Sequence, residues 1–81
     1  MNDSYRLKDA LALAPMDLCP LARRAKSREW WRYGWAYGFL ERRLADAQAP
    51  VREKAFRDAL AIGFAAGYKA RQELRAGVVG A

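Results

Sequence analysis

The stretch Gly34-Trp35-Ala36-Tyr37-Gly38-Phe39-Leu40-Glu41-Arg42 returns 29 positions later as Gly63-Phe64-Ala65-Ala66-Gly67-Tyr68-Lys69-Ala70-Arg71. In each copy the glycines are four residues apart, so on a helix they share one face beside a row of bulky side chains. A glycine inside a helix costs about 1 kcal/mol relative to alanine, so four of them need a compensating contact. Close packing of two helices provides that contact, because the missing side chains let the backbones approach. The repeat therefore predicts two similar helices that meet along a seam of small residues: Gly34, Gly38, Ala59, Gly63 and Gly67.

The residues around the two copies indicate where the long helices begin and end. Ser27 can cap a first helix that extends from about residue 28 to residue 47. Pro50 suits the first turn of a second helix, over about residues 51–76, because its missing N–H is not needed there. Gly77 ends this helix, and residues 77–81 are expected to be a flexible tail.

A shorter helix is expected near the N terminus, where Asp3 and Ser4 can cap it and Pro15 ends it. The two long helices are separated by a short linker, residues 46–50, and short linkers join antiparallel neighbours. We therefore predict that residues 1–81 form a single all-α domain. Its centre is an antiparallel hairpin of two long helices packed through a Gly/Ala seam, and the short N-terminal helix is added to it.

The amino-acid composition argues against several classes of function. The chain has no histidine and one cysteine, which removes most metal sites and histidine-based catalysis. We expect a protein that is not an enzyme, with no catalytic residues, no metal and no cofactor. An unpaired Cys19 fits a reducing compartment and predicts a cytoplasmic protein. The longest apolar stretch, residues 59–68, is far shorter than the roughly 20 residues of a membrane span, so no membrane association is expected.

The formal net charge of +6 is concentrated in one part of the chain. Residues 21–43 contain seven basic and two acidic side chains. Such a density of positive charge attracts polyanions, of which RNA and DNA are the most common. A solvated arginine-rich surface, or one that binds an acidic patch on another protein, would give the same pattern. The predicted nucleic-acid-binding residues are Arg23, Arg24, Lys26, Arg28 and Arg32.

Three aromatic residues of the first long helix lie beside the seam rather than in it: Trp30, Tyr33 and Tyr37. Exposed aromatic side chains are frequent anchors of protein interfaces, and Trp30 could equally stack on an RNA base. A chain of this length has little interior, so some of its ten aromatic side chains are expected to be covered by association. We therefore predict a homodimer, with these three residues at the dimer or partner interface.

Two motifs resemble those of a known family. Cys19-Pro20 is followed, after the basic residues, by Trp31-Arg32-Tyr33-Gly34-Trp35. This arrangement resembles the bacterial ribosome modulation factor family, and residues 63–71 are similar to that family's other helix, although here the two motifs occur in the opposite order. The resemblance implies a small helical protein that binds the RNA of the small ribosomal subunit and pairs ribosomes into inactive dimers. It favours ribosomal RNA as the partner of the basic residues.

A different class of function also fits the composition. A small helical protein without catalytic groups could be a bacteriophage or mobile-element product that binds and inhibits a host protein complex, such as a CRISPR effector. In that case the exposed aromatic residues and the arginines would contact a protein. Binding of double-stranded DNA is less favoured, because the basic residues precede the long helix instead of following one of its faces.

Overall fold

The computed structural model describes residues 5–21 and 25–77. Within these residues, the two long helices make the most extensive contact, the N-terminal helix packs on the first of them, and a short third helix touches both. This confirms the all-helical fold with two long helices packed together and a short N-terminal helix. The elements are α1 (Leu7–Leu13), a turn of 3₁₀ helix (Met16–Leu18), α2 (Ala25–Phe39), α3 (Leu44–Gln48) and α4 (Lys54–Arg75).

The seam between α2 and α4 is built from all four repeat glycines. A Cβ atom added at any of them would lie closer than 3.0 Å to backbone atoms of the other helix, which real Cβ atoms do not tolerate. Ala59, on the same helix as two of the glycines, is 1% exposed. The contacts are reciprocal between the two copies of the repeat: Gly34 meets the carbonyl oxygen of Leu60, Gly63 that of Trp31, Gly38 that of Phe64 and Gly67 that of Trp35.

These contacts place α2 and α4 side by side in the same direction, in contrast to the antiparallel direction expected from the short linker. Near the beginning of both helices, Trp30 stacks on Phe56 with ring centroids 5.7 Å apart. Near the end of both helices, Glu41 accepts hydrogen bonds from Gln72 and Arg75 at 2.7 and 2.8 Å. A parallel pair also explains the reciprocal glycine contacts, because equivalent positions of the repeat then lie at the same level.

The direction differs because α2 is shorter than the sequence suggested. The helix expected to continue to residue 47 ends at Phe39. The amide of Glu41 then donates to the Gly38 carbonyl at 3.0 Å, and that of Arg42 to the Tyr37 carbonyl at 2.9 Å. These two bonds form a Schellman motif, which usually has glycine where Glu41 adopts a φ of 57°.

The chain therefore has residues 40–53 with which to return to the start of α2. The 15 residues of α2 span about 22 Å at 1.5 Å per residue. A segment of this length covers that distance easily, even with α3 inside it. Ala47 and Val51 of this connection are buried together with Leu60, so the return path is packed against the helix pair.

The helix ends differ from the predicted ones in smaller ways. Ser27, expected to cap the first long helix, is 6% exposed inside α2, which begins at Ala25. Pro50 lies in the turn before α4. Gly77 follows α4 with a φ of 72°, and its amide donates to the Leu74 carbonyl at 3.2 Å, as expected for a helix end. The predicted caps Asp3 and Ser4 and most of the predicted tail, residues 78–81, lie outside the described residues.

Candidate functional site

The predicted basic segment contains residues in three different situations. Arg23 and Arg24 lie outside the described residues. Lys26 is exposed in the first turn of α2 and forms no ion pair within the part of the chain that the structure describes. The structure therefore leaves the ammonium group of Lys26 open to a ligand.

The remaining two basic residues, Arg28 and Arg32, hold the N-terminal elements against α2. Arg28 donates from Nη2 to the Met16 carbonyl at 3.2 Å, and Arg32 donates from Nε to the Leu11 carbonyl at 2.9 Å. Leu11 is in the last turn of α1, where carbonyls lack a partner within the helix and a positive charge is favourable. Because a guanidinium has five N–H donors, neither arginine is saturated by these contacts.

The predicted interface residues Trp30, Tyr33 and Tyr37 lie along one side of α2. Tyr33 is 43% exposed, and the other two are half-buried. The ring of Trp30 is 6.1 Å from that of Tyr33, and its stacking on Phe56 fixes its orientation. The Arg42 guanidinium lies over the ring of Tyr37 at 5.6 Å. These contacts form a continuous aromatic surface whose most accessible ring is Tyr33.

Two hollows adjoin this aromatic surface. The first, which we call the aromatic groove, has a volume of about 320 Å³ and is open to solvent. The second has a volume of about 260 Å³ and lies towards α3, where Trp30, Tyr33 and Asp46 are among its lining residues. The aromatic groove is lined by Lys26, Glu29, Trp30, Tyr33 and Phe56.

The aromatic groove joins features that the sequence presented separately. Lys26 was expected in a nucleic-acid site, and Trp30 and Tyr33 at a partner interface; the structure places all three around one hollow. Glu29 and Phe56 were not foreseen as site residues. Glu29 could have been found, because positions 26, 29 and 33 share a helix face. Phe56 could not, because its position depends on the direction of α4.

The groove combines a cation, a carboxylate and three aromatic rings, side chains that can contact planar or charged ligands. Among residues 5–21 and 25–77, no three His, Cys, Asp or Glu side chains are grouped so that they could hold a metal ion. In the same residues, no helix is both long enough and apolar enough to cross a membrane. Comparison with protein-family models, curated proteins and solved structures finds no match for the chain.

Proposed function

We propose that the protein is a small, non-enzymatic RNA-binding regulator that acts in the cytoplasm. The observation that supports this proposal is the exposed Lys26 ammonium at the edge of a groove floored by Trp30 and Tyr33. Proteins bind unpaired RNA by combining positive charge along the phosphate backbone with aromatic rings on which bases stack. The groove offers both of these elements within about two turns of α2.

The charge distribution supports the same function at longer range. Arg23 and Arg24 immediately precede α2 in the sequence, and the whole chain has a formal net charge of +6. Such a field raises the rate of encounter with a polyanion before any specific contact forms. In this proposal Arg23, Arg24 and Lys26 provide most of the phosphate contacts, while Arg28 and Arg32 mainly position the N-terminal helix.

Ribosomal RNA is the proposed target, on the resemblance to ribosome modulation factors. In the motif that carries this resemblance, Trp31 and Trp35 are 2% and 5% exposed, and Gly34 belongs to the seam. In this proposal Trp31, Trp35 and Gly34 therefore stabilise the fold and do not contact RNA. RNA contact is assigned instead to Lys26, Arg23 and Arg24, which lie between the two parts of the motif.

The dependence of RNA affinity on salt tests the proposal. If the basic segment contacts about four phosphates, log affinity should fall with log salt at a slope near −3, using about −0.7 for each phosphate. Replacing Arg23, Arg24 and Lys26 together by alanine should flatten that slope by about 2 and leave helicity unchanged. The matched control replaces three exposed basic residues elsewhere, which removes equal charge and should change the slope less: Arg43, Arg57 and Lys69.

A second candidate function is binding to a host protein complex, as expected of a phage-encoded inhibitor. The observation that favours it is the exposed ring of Tyr33 beside a largely apolar hollow, an arrangement typical of interface anchors. Affinity purification from a bacterial lysate with and without nuclease distinguishes the two functions. Co-sedimentation with ribosomal subunits supports RNA binding, whereas a nuclease-resistant protein complex that is lost in Tyr33→Glu supports the inhibitor.

A further inference from the structure

We propose that the aromatic groove binds one unpaired guanine, with the neighbouring phosphate at Lys26 and the Watson–Crick edge of the base at Glu29. This inference rests on the proposed RNA-binding function and names the nucleotide that the groove selects. It follows from three properties of the groove: the opposite charges at its edge, the fixed aromatic floor and the acceptor character of the carboxylate.

The two charged residues of the groove restrict what can occupy it. Lys26 and Glu29 are three residues apart on α2, and both line the same hollow. An occupant that satisfies both must present a negative charge to the ammonium and hydrogen-bond donors to the carboxylate. A nucleotide whose base carries N–H donors at its outer edge meets this requirement.

The aromatic floor is suited to a planar ligand. Trp30 stacks on Phe56 at an interplanar angle of 29° and contacts Tyr33 at 42°, so its ring is held before any ligand arrives. Bases stack on such rings regardless of sequence, because every base has a π face. Stacking therefore provides affinity, and the choice of base must come from the polar edge.

Glu29 provides this choice. An ionised carboxylate only accepts hydrogen bonds, and its two oxygens can accept two parallel donors. The Watson–Crick edge of guanine has two adjacent donors, an imino N–H and an amino group, whereas adenine and cytosine present an amino group beside an acceptor. Glu29 is 62% exposed at its side chain, and its 3.9 Å ion pair with Arg32 is long enough to leave acceptor sites open.

A cationic side chain from a protein partner is the competing occupant. Three aromatic rings and a carboxylate would attract an ammonium or guanidinium group. Such a group would, however, lie in the hollow that Lys26 lines, and the two positive charges would repel each other. The charge pattern therefore favours the nucleotide.

Tryptophan fluorescence reports directly on the groove. Trp31 and Trp35 are buried, so quenching by a ligand reports mainly on the half-buried Trp30. The probes are four five-nucleotide RNAs of uridines that have G, A, C or U at the centre. We expect the guanine probe to quench the fluorescence and to bind about tenfold more tightly than the adenine probe, as for a bidentate contact.

Two variants separate base selection from phosphate binding. Glu29→Gln replaces one acceptor oxygen by a donor, so it should abolish the preference for guanine while keeping the salt dependence of the parent. Lys26→Ala should weaken all four probes equally. The matched control is Glu73→Gln, an exposed carboxylate on α4 outside the groove, which should bind like the parent.

The possible results distinguish this inference from the function on which it rests. Probes that bind with the expected salt dependence but quench equally, or not at all, overturn the guanine site and leave RNA binding intact. Binding to no RNA at low salt overturns both proposals. Quenching by tetramethylammonium but by none of the four RNAs overturns the guanine site in favour of a cation site for a protein partner.

Discussion

Gly67 illustrates how little room a single residue has at the seam. A Cβ atom at this position would lie 2.7 Å from the carbonyl carbon of Trp35 and closer still to its oxygen. The hydrogen that glycine carries in that direction therefore points at a carbonyl, a weak C–H···O contact typical of close helix pairs. Because the opposing atoms are backbone, the neighbouring helix as a whole would have to move to admit a methyl group.

We expect Gly67→Ala to lower the free energy of unfolding by about 2 kcal/mol. Overpacking against backbone atoms should cost about 3 kcal/mol, the upper end of its usual range, and the better helix propensity of alanine should return about 1 kcal/mol. Urea denaturation followed by circular dichroism measures the difference. The matched control, Ala65→Leu on the exposed side of the same helix, should stay within about 0.5 kcal/mol of the parent. A Gly67→Ala variant as stable as the parent would contradict the close approach of the helices.

Glu41 is the residue that made the end of α2 difficult to predict. A left-handed conformation costs an ordinary residue about 1–2 kcal/mol, so a helix end of this kind is normally recognised by its glycine. Here the carboxylate offsets the cost by accepting hydrogen bonds from Gln72 and Arg75. These partners are more than 30 residues away in the chain, so the residues next to Glu41 in the sequence do not indicate them.

Among the elements, α1 depends on contacts that α2 provides. Arg32 donates to the Leu11 carbonyl in the last turn of α1, and Tyr5, just before α1, packs its ring against Phe39 at 5.1 Å. The Arg71 guanidinium of α4 lies over both of these rings, at 5.4 and 5.6 Å. The seven residues of α1 are too few for a helix that is stable alone, so its order depends on this docking.

We expect Arg32→Ala to increase amide hydrogen exchange in α1 by about tenfold or more, since hydrogen bonds to charged groups contribute about 1.5–3 kcal/mol. Exchange in α4 should change little, because the seam does not involve this side chain. Lys26→Ala, an exposed basic residue of the same helix, is the control. Unchanged exchange in α1 would show that Arg32 does not hold the N-terminal helix in solution.

The sequence predicted the helical repeat and the seam because both depend on periodicity within one helix. The direction of α4 depends on where α2 ends and on the return path through Ala47 and Val51, which are contacts between distant residues. Contacts between distant residues also limited the prediction of the aromatic groove. Lys26 and Trp30 could be recognised on one helix, but the floor that Phe56 adds exists only once α4 lies parallel to α2.

The molecule as a whole exposes aromatic side chains on both long helices. Tyr33 beside the aromatic groove is 43% exposed, and Tyr68 on α4 is 45% exposed. A chain of 81 residues buries a smaller fraction of its surface than a larger domain, so association with a second copy would cover apolar area that folding leaves open. Trp30 and Tyr37 line a hollow together with Tyr33, so the exposed ring of Tyr33 belongs to a larger aromatic surface.

We expect the protein to form a two-fold dimer through the surface that contains Trp30, Tyr33 and Tyr37. Light scattering at high micromolar concentration should give twice the mass of the chain, and Tyr33→Glu should reduce it to that of a monomer because a charge would be buried at the interface. Tyr68→Glu, at an equally exposed tyrosine, is the control and should remain dimeric.

Since dimerisation and guanine binding use the same groove, saturating guanine-containing RNA should also shift the dimer towards monomer. A parent that stays monomeric throughout this concentration range would remove the dimer, and a mass unchanged by bound RNA would place the two interactions on different surfaces.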